Sequence, residues 1–348
     1  MQALTFHGKQ NLHYETVVDP EILAPSDVIL KTHCAGICGS DLHVYHEREA
    51  GLEHGTVMGH EVVGEIVALG KRVEKFRAGD LVFSPFTTNC GQCFYCAIGL
   101  TARCENGQLL GWRQNGVGLH GAQAEYVRIP LADSTLLRVP EEIHAEEALL
   151  LGDILSTGYY CAEQAEIKPH GAYAIIGCGP VGLMALFAAR ELGAEKIYAI
   201  DSISARLQLA ERFGARAINL KENDAVEIIH AATFGRGVDA ALEVVGSPSA
   251  QRLAMDLVRP GGIVSVVGVH TTPHFAFSPG EAYDKNLTYK VGRCPARYYM
   301  ERLLALVRKQ KYDFRAVISH RMPLAHGVEG YKIFDQKLEG CTKVVLTF

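Results

Sequence analysis

The sequence predicts an α/β chain of two domains, one compact and largely β, the other built on a doubly wound parallel sheet. Three observations predict it. Short strands punctuated by turn residues fill the first part. From Gly171 apolar strands alternate with helices. A glycine-rich turn, Gly177-Cys178-Gly179-Pro180-Val181-Gly182, opens the first of those helices.

In the first part VILKTHCAG (28–36), EVVGEIVALG (61–70) and DLVFSPF (80–86) are strand candidates, separated by Gly51, Gly55 and Gly79 and preceded by Pro25. The pattern turns helical over 141–165, the stretch expected to join the domains. Beyond it, AYAII precedes a helix through Leu192, and KIYAID (196–201) precedes one through Phe213. A short strand at 217–220 leads to a helix near 225–233, and VDAALEVVG (238–246) to a helix through Val258. GIVSVVGV (262–269) and LTYKVG (287–292) complete six strands. A helix near 300–310 follows, and TKVVLTF reads as a strand returning to the first domain. The expected boundaries are 1–155, 156–292 and 293–348.

Composition limits the function classes. Of 348 residues, 48% are hydrophobic and 21% charged, an ordinary soluble balance. Lys and Arg (34) do not exceed Asp and Glu (39), so the basic footprint of a nucleic-acid binder is missing. Residues 171–189 carry no charge and approach the length of a membrane span, but Gly177, Gly179, Pro180 and Gly182 interrupt them. A buried strand, turn and helix fit better. The start, MQALTFHGKQ, has no apolar signal core, and ten cysteines then point to a reduced, cytoplasmic protein. Cys34, Cys161, Cys178, Cys294 and Cys341 lack partners at ligand spacing and read as small core hydrophobes.

The other cysteines are different. Cys90, Cys93, Cys96 and Cys104 follow C-x2-C-x2-C-x7-C, a spacing that can enclose one tetrahedral Zn2+. Disulfides would need an oxidising compartment. An iron–sulfur run would have a tighter last gap and a proline after it, where Glu105 stands. With four protein ligands such a zinc braces a loop and has no open position for chemistry.

The glycine turn matches G-x-G-x-x-G between a strand and a helix, the context in which backbone N–H groups approach a pyrophosphate. Asp201 ends the next strand, 24 residues after Gly177. A carboxylate there accepts from ribose hydroxyls and repels a 2′-phosphate, which favours NAD over NADP. Arg206, five residues on, is either a surface charge or a phosphate contact.

Three further segments hold metal-ligand types: Cys38-Gly39-Ser40-Asp41-Leu42-His43, Gly59-His60-Glu61 and Gly152-Asp153. A Cys, a His and a carboxylate from separate segments can make an open catalytic zinc site. At this point the chain resembles a known family. GHEVVGEIVALGKRV, with Gly59, His60, Glu61, Gly64, Gly70 and Val73 in register, resembles the zinc signature of the medium-chain dehydrogenase/reductase family, the zinc-containing alcohol dehydrogenases. AGICGSDLH resembles its first-ligand segment, and the four-cysteine lobe its structural zinc loop.

The resemblance implies a Rossmann domain beside a GroES-like catalytic domain, with two zinc ions per subunit. Cys38, His60 and Asp153 would hold the catalytic ion, with Glu61 as a transient fourth ligand and Asp41 orienting His60. Ser40 would hydrogen-bond the substrate hydroxyl and His43 would pass its proton to solvent. Thr157 would support the nicotinamide ring, and the backbone of Val267, Gly268 and Val269 its carboxamide. Gly177, Gly179, Pro180, Val181 and Gly182 would hold the pyrophosphate, with Asp201 and Arg206 at the ribose. Phe86, Ser40 and Trp112 would line the substrate pocket, although Trp112 could equally pack against the lobe.

Asp153 stands where many animal and plant members have Cys. That feature resembles bacterial broad-range tetrameric alcohol dehydrogenases, and also glutathione-independent formaldehyde dehydrogenases, which are longer. The expectation is therefore a cytoplasmic, homotetrameric, zinc- and NAD-dependent dehydrogenase of small primary or secondary alcohols. Formaldehyde, polyol and threonine dehydrogenases are the alternatives within the family. A non-catalytic nucleotide-binding protein is the alternative of a different class.

Overall fold

A computed structural model describes residues 1–348 and divides into two compact units, Met1–Ser156 with Pro295–Phe348, and Thr157–Cys294.

In the first unit the strands Val28–Ile37, Val62–Leu69 and Leu81–Ser84 pair antiparallel in sequence. Their inward side chains, including Val28, Leu30, Val62, Ile66 and Val82, form one core with Leu110, Leu119 and Val127. The apolar–polar alternation of Val28–Ile37 changes to continuous burial over its last four residues, where it becomes a central strand with neighbours on both sides. The second neighbour there is Val344–Thr347. It lies antiparallel to Val28–Ile37, with Val344 opposite Ile37 and Thr347 opposite Cys34, so TKVVLTF does return to the first unit.

A separate hairpin, Gln2–Phe6 with Leu12–Thr16, pairs through Thr5 and Phe6 with Thr56–Val57. The helical joining stretch becomes two helices, Ala145–Gly152 and Ile154–Gln164. The first begins with a capping box, in which His144 accepts from Glu146 N and the Glu147 side chain accepts from His144 N.

The second unit is a six-stranded parallel sheet. In chain order its strands are Ala172–Ile176, Lys196–Asp201, Arg216–Asn219, Val238–Glu243, Val258–Val266 and Thr288–Val291, and they lie 3-2-1-4-5-6. This is the doubly wound order, and its direction reverses between Ala172–Ile176 and Val238–Glu243. All five residues of AYAII are buried, as expected of a central parallel strand. The helix after it, Pro180–Glu191, buries Gly182 through Ala189 without a break. That burial accounts for the uncharged run at 171–189, and no helix is long and apolar enough to cross a membrane.

The five unpartnered cysteines, Cys34, Cys161, Cys178, Cys294 and Cys341, are buried. Desolvation pushes the thiols of Cys34 and Cys161 up to about 12, so they remain protonated packing groups.

Candidate metal centres and cofactor turn

Cys38 follows the Val28–Ile37 strand, His60 precedes Val62–Leu69, and Asp153 sits at the C-cap of Ala145–Gly152. The fold brings the three together, with Glu61, so that one donor atom from each lies within 4.8 Å of the others. Asp153 Oδ2 is 3.4 Å from Cys38 Sγ and 3.3 Å from His60 Nε2. Tetrahedral zinc with ordinary Zn–S, Zn–N and Zn–O bonds sets these edges at about 3.5 and about 3.4 Å. The donor set fits the ion.

Local structure explains the convergence. Gly59 has φ +89°, and a Cβ there would lie 2.4 Å from Gln123 Cγ, so only glycine lets the chain turn into His60. Asp41 Oδ1 is 3.0 Å from His60 Nδ1, and its Oδ2 accepts from Cys38 N at 2.9 Å. One carboxylate therefore orients two ligands and leaves Nε2 of His60 facing Asp153. Ser40 Oγ lies 3.2 Å from that same Nε2, while His43, three residues on, is half-buried in the helix Asp41–Tyr45. The ring of Phe86 meets His60 edge-on, with centroids 6.4 Å apart.

Burial disfavours a charged His60, but Asp41 and Asp153 outweigh it and hold its pKa well above the usual range. Burial likewise opposes ionised Asp153, but His60 holds its pKa low, so the two groups attract as opposite charges. Glu61 shows the reverse balance: burial pushes it up to about 7. Its Oε1 meets Lys343 Nζ at 2.6 Å, while its Oε2 is buried with no hydrogen-bond partner. An orphaned carboxylate oxygen beside three ligands is what a fourth, exchangeable ligand requires.

Lys343 was not foreseen. Its signal lay in a lysine interrupting the apolar run around VVLT, where a fully buried cation needs a buried anion. Tyr331 was missed as well. Fully buried, it donates to Gln123 Oε1 at 2.9 Å, beneath Asp41.

The four lobe cysteines also converge within 4.8 Å. Cys93 and Cys104 sulfurs are 3.9 Å apart, against about 2 Å in a disulfide and about 3.8 Å along the edge of a ZnS4 tetrahedron. Cys90 N donates to Cys104 Sγ and Cys93 N to Cys90 Sγ, giving the sulfurs the backbone donors that favour thiolate. Burial opposes ionisation of Cys90, yet N–H groups of Gln92 and Cys93 bring its pKa down to about 6. Trp112 opens the hairpin strand Trp112–Gln114 and packs, half-buried, against the core around Leu4, Phe6 and Met58 rather than within the lobe's cysteines.

In the second unit the glycine turn joins Ala172–Ile176 to Pro180–Glu191 at the point where strand order reverses. A Cβ on Gly182 would lie 1.8 Å from Gly177 O, so the helix can start this close only with glycine. Asp201 Oδ2 accepts from Cys178 N at 2.7 Å and Oδ1 from Ser202 N and Ile203 N. The carboxylate thus braces the turn with lone pairs to spare. Arg206 reaches back over the turn: its Nη1 is 3.5 Å from the place a Cβ on Gly179 would take, and its Nε is buried without a partner. Val267 N and Gly268 N both donate to Glu243 O. The fully buried Glu243 carboxylate accepts from Val245 N and Gly246 N at 2.8 Å and meets His270 Nε2 at 2.9 Å, tying two loops at the strand ends.

Two family models match: the alcohol dehydrogenase GroES-like domain over residues 24–141 and the zinc-binding dehydrogenase over 180–309. A zinc-type alcohol dehydrogenase B of Aspergillus flavus is 41% identical over 344 residues, 96% of this chain and 79% of the relative. The chain belongs to the zinc-containing medium-chain dehydrogenase/reductase family. Among solved members, the alcohol dehydrogenase TADH from Thermus sp. ATN1 superposes with a TM-score of 0.92 at 39% identity, covering 100% of this chain and 99% of that one. A sorbitol dehydrogenase of Bacillus subtilis is 36% identical over 273 residues, 77% of this chain and 75% of the relative. Family membership makes the chain an oxidoreductase of the zinc type with a small-molecule substrate.

Proposed function

We propose that the protein interconverts small primary or secondary alcohols and their aldehydes or ketones, with NAD as hydride acceptor. The carrying observation is the open donor set of Cys38, His60 and Asp153 with Ser40 Oγ at 3.2 Å from His60 Nε2. Three protein ligands leave one position for substrate. Zinc and nicotinamide, when bound, supply Lewis acidity toward an oxygen and a hydride acceptor.

The chain's own residues do the rest. Ser40 Oγ takes the proton of the substrate hydroxyl, and His43 hands it on to solvent. Asp41 keeps His60 in the tautomer that presents Nε2. Glu61, with one free carboxylate oxygen, replaces a departing ligand without a change of fold. Phe86 forms an apolar wall against His60 and limits water near the reacting carbon. Cys90, Cys93, Cys96 and Cys104 bind a second, structural zinc.

The turn Gly177–Gly182 takes the pyrophosphate, and Thr157 and the backbone of 267–269 take the nicotinamide. Asp201 supports NAD over NADP, because both of its oxygens are fixed by backbone N–H groups and its charge stays at the ribose. Arg206, its Nε lacking a partner beside Gly179, supports an anionic ligand there. We also assign a cytoplasmic homotetramer, in which Thr288–Val291, an edge strand with exposed Val291, meets its copy across a two-fold axis. The likeness to a sorbitol dehydrogenase supports a polyol as the second substrate reading.

Initial rates of NAD and NADP reduction by ethanol, 2-propanol, benzyl alcohol, sorbitol, threonine and formaldehyde hydrate test this reading. Simple alcohols with NAD should react fastest. A selective response to sorbitol moves the function to polyols, and silence from a zinc-loaded protein refutes the substrate class.

A further inference from the structure

The N-terminal hairpin carries donor chemistry that the dehydrogenase reading does not use. In its register Thr5 faces His13 and Ala3 faces Glu15. Side chains alternate across a strand, so Thr5 and His7 on one side stand over the same face as His13 and Glu15 on the other. His7 Nε2 lies 2.7 Å from Glu15 Oε1, and the imidazoles of His7 and His13 stack with centroids 4.1 Å apart and planes at 21°. One donor atom from each of the three lies within 4.8 Å of the others.

A simple ion pair between His7 and Glu15 would give His13 no part in the cluster. Two stacked imidazoles that both carry protons repel each other, whereas a shared cation uses a lone pair from each. The groups around the three also suit a ligand set. Thr5 Oγ1 donates to Glu15 Oε1 and lies 3.1 Å from His7 Nε2, and Asn11 Oδ1 lies 3.1 Å from His13 Nε2. Such partners fix tautomer and orientation in metal sites. The scaffold is pinned by His7 N to Asn11 O, Gln10 N to Tyr45 O, Gly55 N to Phe6 O and Met58 N to Leu4 O. The cluster is open to water, with His7 27% and Glu15 37% exposed.

We propose that His7, His13 and Glu15 form a third metal site, separate from the two zinc sets and open at one position. Two imidazoles and one carboxylate suit borderline divalent transition ions, Zn2+ and Ni2+, and discriminate against Mg2+ and Ca2+, which prefer oxygen-only shells.

The test uses the full chain, free of any affinity tag, with its zinc sites filled, titrated with Ni2+ by calorimetry. One equivalent should bind. His13→Gln and His7→Gln should weaken it by about tenfold or more, with Glu15→Gln also weaker and alcohol turnover unchanged in all three. Failure to bind Ni2+, or equal binding by all three variants, overturns the proposal. Should a variant lose its fold, a nickel-soaked crystal of the native chain decides instead. An anomalous peak among the three side chains supports the site, and a peak elsewhere or none overturns it.

Discussion

Lys343 Nζ lies 2.6 Å from Glu61 Oε1, and water reaches neither side chain. A second bond, from Nζ to Ile37 O at 3.0 Å, satisfies the ammonium further. Removing one member of a buried pair strands the other as an uncompensated charge, which costs about 3–5 kcal/mol. Lys343→Met should therefore lower the thermal midpoint markedly, and Glu61→Gln in the same chain should restore much of it. An unchanged midpoint in Lys343→Met would show that the pair contributes nothing net.

Asp41 bonds His60 Nδ1 and Cys38 N at once, so Asp41→Asn should slacken two ligands together. Loss of an orienting carboxylate typically weakens metal binding by about 10–100-fold. Zinc release to a coloured chelator should be faster by a similar factor, with one of the two ions affected. Equal release from native and variant chains would rule out the orienting role.

Replacing a ligand itself should separate chemistry from folding. Cys38→Ser, His60→Ala and Asp153→Ala are expected to remove most turnover while circular dichroism stays native. Near-normal rates in all three, with unchanged metal content, would refute the site.

The cysteine lobe should behave differently. Cys93→Ser should drop zinc from two ions per chain to one and lower the melting midpoint, because the loop 90–104 keeps its shape through sulfurs rather than a packed core. Metal analysis that still finds two ions would assign Cys93 no ligand role.

Glu146 gives a pH prediction. Arg321 Nη2 donates to its Oε2 at 2.9 Å and Arg321 Nε to its Oε1, and this pairing holds its pKa below the usual range. As acid is added, the unfolded chain therefore takes up this proton before the folded one. The stabilisation is complete above the unfolded value, near pH 4.3, and is lost as pH falls through the lower folded value. Glu146→Gln should cost about 1–2 kcal/mol at pH 7, discounted for the half-exposed Arg321, and should flatten the acid limb of the stability curve. Parallel limbs in urea titrations of the two proteins would contradict it.

The alternation of apolar strands with helices was readable because a parallel sheet buries whole strands. AYAII and KIYAID carry that signal in their composition alone, and the boundaries fell within a few residues. Metal ligands were readable as residue types with a family's spacing. Their support was not, because Asp41, Lys343 and Tyr331 act through contacts between segments distant in sequence. Lys343 and Glu61 are 282 residues apart, and no local pattern encodes such a pairing. Glu243 was invisible for a related reason: its carboxylate serves backbone N–H groups, which every residue has.

The pairing of Val344–Thr347 with Val28–Ile37 sets a timetable for biosynthesis. A ribosome delivers Val28–Ile37 early and its neighbour only after the whole parallel sheet has been translated. The sheet of Thr157–Cys294 can close while still tethered, but the barrel-side strand waits with one edge bare. During that interval Glu61 also lacks its cation. The nascent chain is thus most exposed to chaperones and to misassembly in its oldest segment, not its newest.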